Sequence, residues 1–151
     1  MPTLTDAGLQ LIKEFEGFRS KPYLDSVHKP TIGYGATHYK DGKPVTINDP
    51  AIDEPTASQL LHDLLTIEFC PKVASLIKVK ISDDSYSAVV CFAYNVGLEN
   101  LKNSTLLRCL NAFNYKDAGE EFLKWTKAGG IVLPGLVKRR QAERALYLSG
   151  L

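Results

Sequence analysis

The stretch EGFRSKPYLDSVHKPTIGYGAT, residues 16–37, starts on an acid at the end of a helical pattern and runs into a turn-rich segment punctuated by glycine. Upstream of it, Gly8, Leu11, Ile12 and Phe15 recur at helical spacing, with Thr5 placed to cap the helix and Gly17 to stop it. At about 100° per residue, Glu16 falls on the flank of that apolar stripe beside Ile12, whereas Glu14 points away. Of the two acids, Glu16 is the one held against structure. Downstream, Pro22, Pro30, Gly33, Gly35, Gly42 and Pro44 break residues 18–47 into short β-prone runs such as PTIGYG and KPVTI, with the turn signal KDGK between them. That pattern predicts a small antiparallel sheet of short strands.

Beyond the sheet the character is helical. Asp53 is placed to cap a helix whose leucines recur through TASQLLHDLLTIEF, and Pro71 should end or kink it. Further helices are expected at about 83–96, 104–113, 115–127 and 135–149. No repeat, low-complexity segment or flexible linker interrupts them. The outline is α+β: one helix and a small sheet, a connecting helix over about 54–79, then a helical lobe. The 151 residues suit one domain, with an N-terminal lobe of about 14–55 and a C-terminal lobe of about 80–151 joined by the first helix.

Composition excludes several classes. A formal net charge of +1 creates no strong field toward nucleic acid or membrane. The 44% hydrophobic content is enough for a sizeable core. Cys70, Cys91 and Cys109 match neither a disulfide framework nor a metal pattern, and their apolar neighbours suggest buried free thiols in a reducing compartment. The acidic N-terminal segment lacks the apolar run of a signal peptide, and AVVCFAY is far shorter than the roughly 20 residues of a bilayer span. No cofactor or metal is expected.

Two carboxylates in different surroundings are what acid-base cleavage of a glycosidic bond requires, one protonated and one ionised. Glu16 ends a helix and borders apolar residues, and both features disfavour its charged form. Asp25 lies in the polar loop LDSVH, where solvation favours charge. Thr31 offers a hydroxyl that donates and accepts, enough to orient a water against Asp25. On spacing alone this is weak evidence, since Glu, Asp and Thr are common and most acids in turns are merely solvated.

The pattern E-G-F-R-x-x-x-Y-x-D-x-x-x-x-x-T-I-G-Y-G resembles the signature of bacteriophage-type lysozymes, glycoside hydrolase family 24. Further similarity lies in FAYNVG (92–97), NSTLLRCLN (103–111), EEFLKW (120–125) and GLVKRRQAER (135–144), in family order along nearly the whole chain. The resemblance implies a lysozyme-like α+β fold, mainly helical, with a cleft between two lobes. It implies an endolysin that cuts the β-1,4 bond between N-acetylmuramic acid and N-acetylglucosamine in peptidoglycan. Glu16 is then the general acid, Asp25 with Thr31 positions and activates the attacking water, and the anomeric centre inverts. A monomer held in the host cytoplasm until a holin-type pore opens is also expected, with no nucleic-acid partner and no membrane anchor.

Other positions carry two readings each. Gly33 serves turn geometry, whereas Gly35 is placed at the substrate cleft, where a missing side chain lets a sugar approach the backbone; Thr37 is grouped with it. Tyr94 follows an apolar run and can be core, but the family pattern sets Tyr94 and Asn95 at the cleft, where Asn95 can bond an acetamido group. Ser104 is either a helix cap or a sugar contact. Trp125 is expected in the core. Arg139 and Arg140 form either a solvated basic face or, by the resemblance, the source of an arginine that reaches the catalytic acid; Arg140 is the favoured one. The family often has histidine directly after G-Y-G, where this chain has Ala36, so that contact is missing or supplied by His38. His28 and His38 otherwise read as exposed loop residues. A lytic transglycosylase would not need Asp25 and Thr31. A catalytically weak peptidoglycan-binding or virion structural module is the alternative from a different class.

Overall fold

The computed structural model describes residues 1–151. Eight α-helices and four short strands make up the chain, which divides into two compact units, residues 12–68 and residues 1–11 with 69–151. No helix is long and apolar enough to cross a membrane.

Helix α1 (Asp6–Glu16) begins where Thr5 accepts a hydrogen bond from the Gly8 amide at 3.1 Å, and ends at Gly17, whose φ of +71° suits the helix stop expected from the sequence. In the unit of residues 12–68, β1 (Arg19–Leu24) pairs antiparallel with β2 (Pro30–Gly33). Their register is interrupted between Arg19 and Tyr23. Pro22 lies within that interruption and has no N–H to give the ladder. Isolated bridges Ile32–Ala36 and His38–Pro44 extend the turn-rich segment. The KDGK signal closes where Tyr39 N–H bonds the Lys43 carbonyl at 2.9 Å.

Helix α2 (Glu54–Leu64) is capped by Asp53, which accepts from the Thr56 amide at 2.9 Å. Its Leu60 and Leu64 cover Ile32, Ala36 and Val45 to make this unit's core, with Tyr39 and Ile52 packed against it. The long connecting helix expected over 54–79 is three pieces instead. After α2 comes a wider π-helical turn, Leu65–Phe69, and then α3 (Cys70–Leu76) with Pro71 in its first turn. Pro71 cannot donate back to the preceding turn, and widening the helix before it absorbs the missing bond.

In the other unit, α4 (Asp83–Val96) is buried continuously from Ser85 to Ala93, as befits a helix apolar on all sides. It packs against α8 (Pro134–Ser149), while α5 (Leu98–Lys102), α6 (Thr105–Asn111) and α7 (Tyr115–Glu121) surround the pair. Phe92 stands edge-on to both Phe122 and Trp125 at 5.4 Å between ring centroids. The helix expected over 115–127 stops at Glu121. A short 3-10 turn follows, and then a hairpin of β3 (Lys127–Ala128) and β4 (Ile131–Val132) turned by Gly129 and Gly130. The Gly-Gly pair is a hairpin signal that overrides the helical spacing before it.

Candidate active site

Glu16, Asp25, Thr31 and Gly35, all expected at the site, lie in the unit of residues 12–68. Glu16 is half-buried at the end of α1, whereas Glu14 is exposed, as the helical phase predicts. Gly35, at φ +78°, lies so close that an added β-carbon would stand 2.5 Å from Glu16 Oε1 and 3.1 Å from its Cδ. The missing side chain at Gly35 leaves room for the Glu16 carboxyl. Gly33 makes a similar close approach to helix α2, where an added β-carbon would meet Ala57 at 3.2 Å.

Asp25 sits at the tip of the β1–β2 hairpin, and the backbone grips it. Its Oδ1 accepts from the amides of Val27 at 2.9 Å and Lys29 at 2.8 Å, while its own N–H bonds the Lys29 carbonyl at 3.0 Å. Two N–H groups on one oxygen hold the carboxylate in a single orientation. Thr31, only 3% exposed, donates its hydroxyl to that same Lys29 carbonyl at 2.9 Å. Asp25 and Thr31 are thus tied to one peptide unit, and the hydroxyl oxygen of Thr31 keeps lone pairs to accept with.

Tyr23 is a neighbour of the expected site residues that was not singled out from the sequence. It pairs with Thr31 across the ladder and carries the Arg19 guanidinium over its ring at 4.6 Å. Burial first, and then the negative charge of Glu16, push its phenol up; Asp25 adds to this and Arg19 opposes it. The tyrosine of the E-G-F-R-x-x-x-Y-x-D pattern was the available signal.

His38 is not an exposed loop residue. It is half-buried, with Nε2 2.7 Å from Glu68 Oε2 and Nδ1 3.3 Å from the Thr37 hydroxyl. Thr37 is half-buried, so its hydroxyl serves the histidine. His28 is exposed as expected, at φ +61° in the Asp25 loop.

The remaining expected residues lie in the helical unit. Tyr94 is half-buried with its ring 5.1 Å from that of Phe69. Ser104 is a helix cap: its hydroxyl accepts from the Leu107 amide at 3.0 Å and donates to the Leu101 carbonyl at 2.7 Å, and the side chain is buried. Trp125 is half-buried against Phe92.

Arg139 and Arg140 are the largest departure from a solvated basic face. Both are buried, 3% and 0% exposed, around an equally buried Glu143. Arg139 Nε meets Glu143 Oε2 at 3.0 Å and Arg140 Nη1 meets Oε1 at 2.5 Å. Arg140 also donates to the Trp125 carbonyl at 3.0 Å and to Asn95 Oδ1. Its Nε, Nη1 and Nη2 each serve a partner in the helical unit. Asn95 is exposed, and with Oδ1 held by Arg140 its amide Nδ2 is presented as a donor. Burial pushes the Glu143 carboxyl up and the two guanidiniums pull it back.

Cys91 is the buried thiol that was expected. It donates to Glu143 Oε2 at 3.1 Å, and burial pushes it far up, which makes it inert. Cys70 and Cys109 are only partly buried. No three or more His, Cys, Asp or Glu side chains are grouped to hold a metal ion.

An acid closing a helix against a glycine, with a backbone-gripped aspartate on the following hairpin and a helical unit beyond, has the lysozyme-like α+β architecture. The chain belongs to the phage lysozyme family, whose profile matches residues 13–143. It is 48% identical over 150 residues to an endolysin of Bacillus phage B103, covering 97% of this chain and 54% of that protein. The chain therefore spans about half the length of that relative. It is 38% identical over 152 residues to the endolysin of Salmonella phage P22, covering 99% of this chain and all (100%) of that one. Among solved structures, an endolysin from Escherichia coli O157:H7 phage FAHEc1 superposes with a TM-score of 0.86 at 34% identity, covering 97% of this chain and 93% of that one.

Proposed function

We propose that this protein is an endolysin, a muramidase that hydrolyses the β-1,4 bond between N-acetylmuramic acid and N-acetylglucosamine in bacterial peptidoglycan. The observation that carries the reading is the hairpin that locks Asp25 and Thr31 to one peptide unit, next in the chain to an acid packed on Gly35. Glu16 protonates the leaving glycosidic oxygen. Asp25 takes a proton from a water that Thr31 helps to orient, and that water attacks the anomeric carbon from the opposite face, inverting it. The hydroxyl of Thr31 accepts from the water while its own proton stays on Lys29.

Around the reacting bond, Asn95 donates its amide to an acetamido carbonyl, and Tyr94 and Thr37 line the sugar path. The chain acts as a monomer. It resides in the host cytoplasm until a holin-type pore gives it access to the wall.

Digestion of purified peptidoglycan, with fragments analysed by mass spectrometry, tests the reaction. Reducing-end sugars are expected. Anhydro ends would mean transglycosylation, and no fragments at all would mean binding without chemistry. Proton NMR of a soluble oligomer during turnover reads the first-formed anomer, and an initial β product would exclude inversion.

A further inference from the structure

Two left-handed glycines, Gly33 at φ +64° and Gly35 at φ +78°, frame Tyr34. Their loop is closed at its base, where Ile32 and Ala36 exchange backbone hydrogen bonds of 2.9 Å in both directions. At its tip the glycines bring no side chains and the freest backbone of any residue. Tyr34 is the one side chain there that can fix the tip, and it is buried, at 8% exposed.

The Tyr34 hydroxyl donates to Oε2 of Glu54 at 2.6 Å, and the Ser58 hydroxyl donates to the same oxygen at 2.5 Å. The Glu54 carboxyl is held below its ordinary range by Ser58 first and Tyr34 next, so the bond runs to an ionised acceptor, the stronger kind. Glu54 opens α2, whose Ala57 already backs onto Gly33. The loop is therefore fastened to α2 by its backbone and by its tip side chain. On the other side, the Tyr34 ring carries the Lys13 ammonium at 5.5 Å and meets the Phe18 ring at 5.9 Å. Lys13 precedes Glu16 in the chain and Phe18 follows it, so Tyr34 touches the backbone's neighbours on both sides of the acid. The acid's own carboxyl lies against Gly35.

We propose that Tyr34 is a positioning residue for the general acid. Anchored on Glu54, it sets the spacing of α2, the loop and the end of α1 at which the Glu16 carboxyl fits against Gly35. This role rests on Glu16 being the acid of the reaction proposed above. A loop free to drift would let the carboxyl leave its place while the surface offered to sugars stays as it is. The loss then falls on kcat and spares KM.

Steady-state hydrolysis of a soluble peptidoglycan oligomer, measured well below the melting temperature of each variant, tests the role. Y34F keeps the ring with its Lys13 and Phe18 contacts and removes only the bond to Glu54. It is expected to lower kcat about five- to tenfold with KM within about twofold, short of the roughly hundredfold that about 1 Å of misplacement costs. E54A removes the same bond from the other partner and should match Y34F, so a folding defect in either variant leaves the comparison standing. E54Q keeps an oxygen for the hydroxyl and should hold kcat within about twofold of the parent. In a G35A background, where the carboxyl is already displaced, Y34F should cost less than about twofold more. A Y34F protein that melts lower but keeps the parental kcat overturns the positioning role. So does a rise in KM that accounts for the whole loss, or E54Q as impaired as E54A. E16Q separates the two readings: loss of turnover there with Y34F unimpaired overturns the positioning alone, whereas E16Q at parental turnover removes the acid and this role with it.

Discussion

A β-carbon on Gly35 would stand 2.5 Å from Oε1 of Glu16, so the loop and the acid occupy adjoining space with no room for a methyl group. Gly35→Ala must therefore displace the carboxyl and also force a side chain onto φ +78°. The backbone penalty is about 1–2 kcal/mol, and a shift of the acid by about 1 Å costs on the order of a hundredfold in turnover. Thermal unfolding and turnover of a soluble oligomer measure the two effects. A stable variant with unchanged turnover would show that Gly35 does not fix the acid.

Glu16→Gln keeps shape and loses the proton. Turnover should fall by about two to four orders of magnitude, while circular dichroism and melting remain close to those of the parent. Retention of more than about a tenth of activity would remove Glu16 from the role of acid.

Asp25 and Thr31 share Lys29, so their losses should not add. Asp25→Asn retains an oxygen for the Val27 and Lys29 amides, and the hairpin survives. Thr31→Val keeps its volume in a buried position. Each should cut turnover, and the double variant should lose less than the two losses combined. Strict additivity in the cycle would mean that the two residues do not act on one water.

Glu143 offers a contrast between stability and chemistry. Glu143→Ala strands two buried guanidiniums and should destabilise the protein by about 3–5 kcal/mol, read from the urea midpoint. Cys91→Ala removes one contact to the same carboxylate and should cost only about 1 kcal/mol. If the two variants unfold at the same urea concentration, the buried cluster is not holding the helical unit together.

The Tyr39 hydroxyl lies 2.6 Å from Asp49 Oδ2. Burial, then the bond to Asp49, push the Tyr39 phenol up to about 12. The Asp49 carboxyl is held below its ordinary range by Thr46 first and Tyr39 after it. A raised phenol contributes stability that is complete below about pH 10, the unfolded value, and is lost as pH rises through about 12. A lowered carboxyl contributes stability above its unfolded value and loses it as pH falls through the folded one. Tyr39→Phe should reduce the alkaline loss, to which the raised phenols of Tyr86 and Tyr147 still contribute, and narrow the acidic one. Unfolding free energies measured from pH 2 to 12 check both, and an unchanged alkaline limb would contradict the assignment.

Local signals were legible in the sequence where one residue type settles the geometry. Thr5, Gly17 and Asp53 mark helix ends because capping and left-handed stops depend on a single side chain or its absence. KDGK closes a turn for the same reason. The arginines were not legible, because their partners arrive from distant segments: Cys91 and Asn95 from α4, and the carbonyl of Trp125 from the 3-10 turn. Only Glu143, three and four residues along the helix, was visible beforehand. Ser104 was legible as a helix cap, and its hydroxyl accepts from Leu107 and donates to Leu101. The hairpin after Trp125 was hidden by helical spacing that runs up to it, and only Gly129-Gly130 announced the change.

The aspartate at the hairpin tip is held by peptide groups, while Ser26, Val27, His28 and Lys29 all turn outward to solvent. Peptide groups are common to every amino acid, so the grip on Asp25 does not depend on which side chains stand there. Mutational drift at these four positions is constrained in one respect only: φ +61° at residue 28 admits histidine, asparagine or glycine far better than a β-branched residue. Lineages of this family can therefore rewrite the hairpin tip, and the Asp25 carboxylate stays where it is.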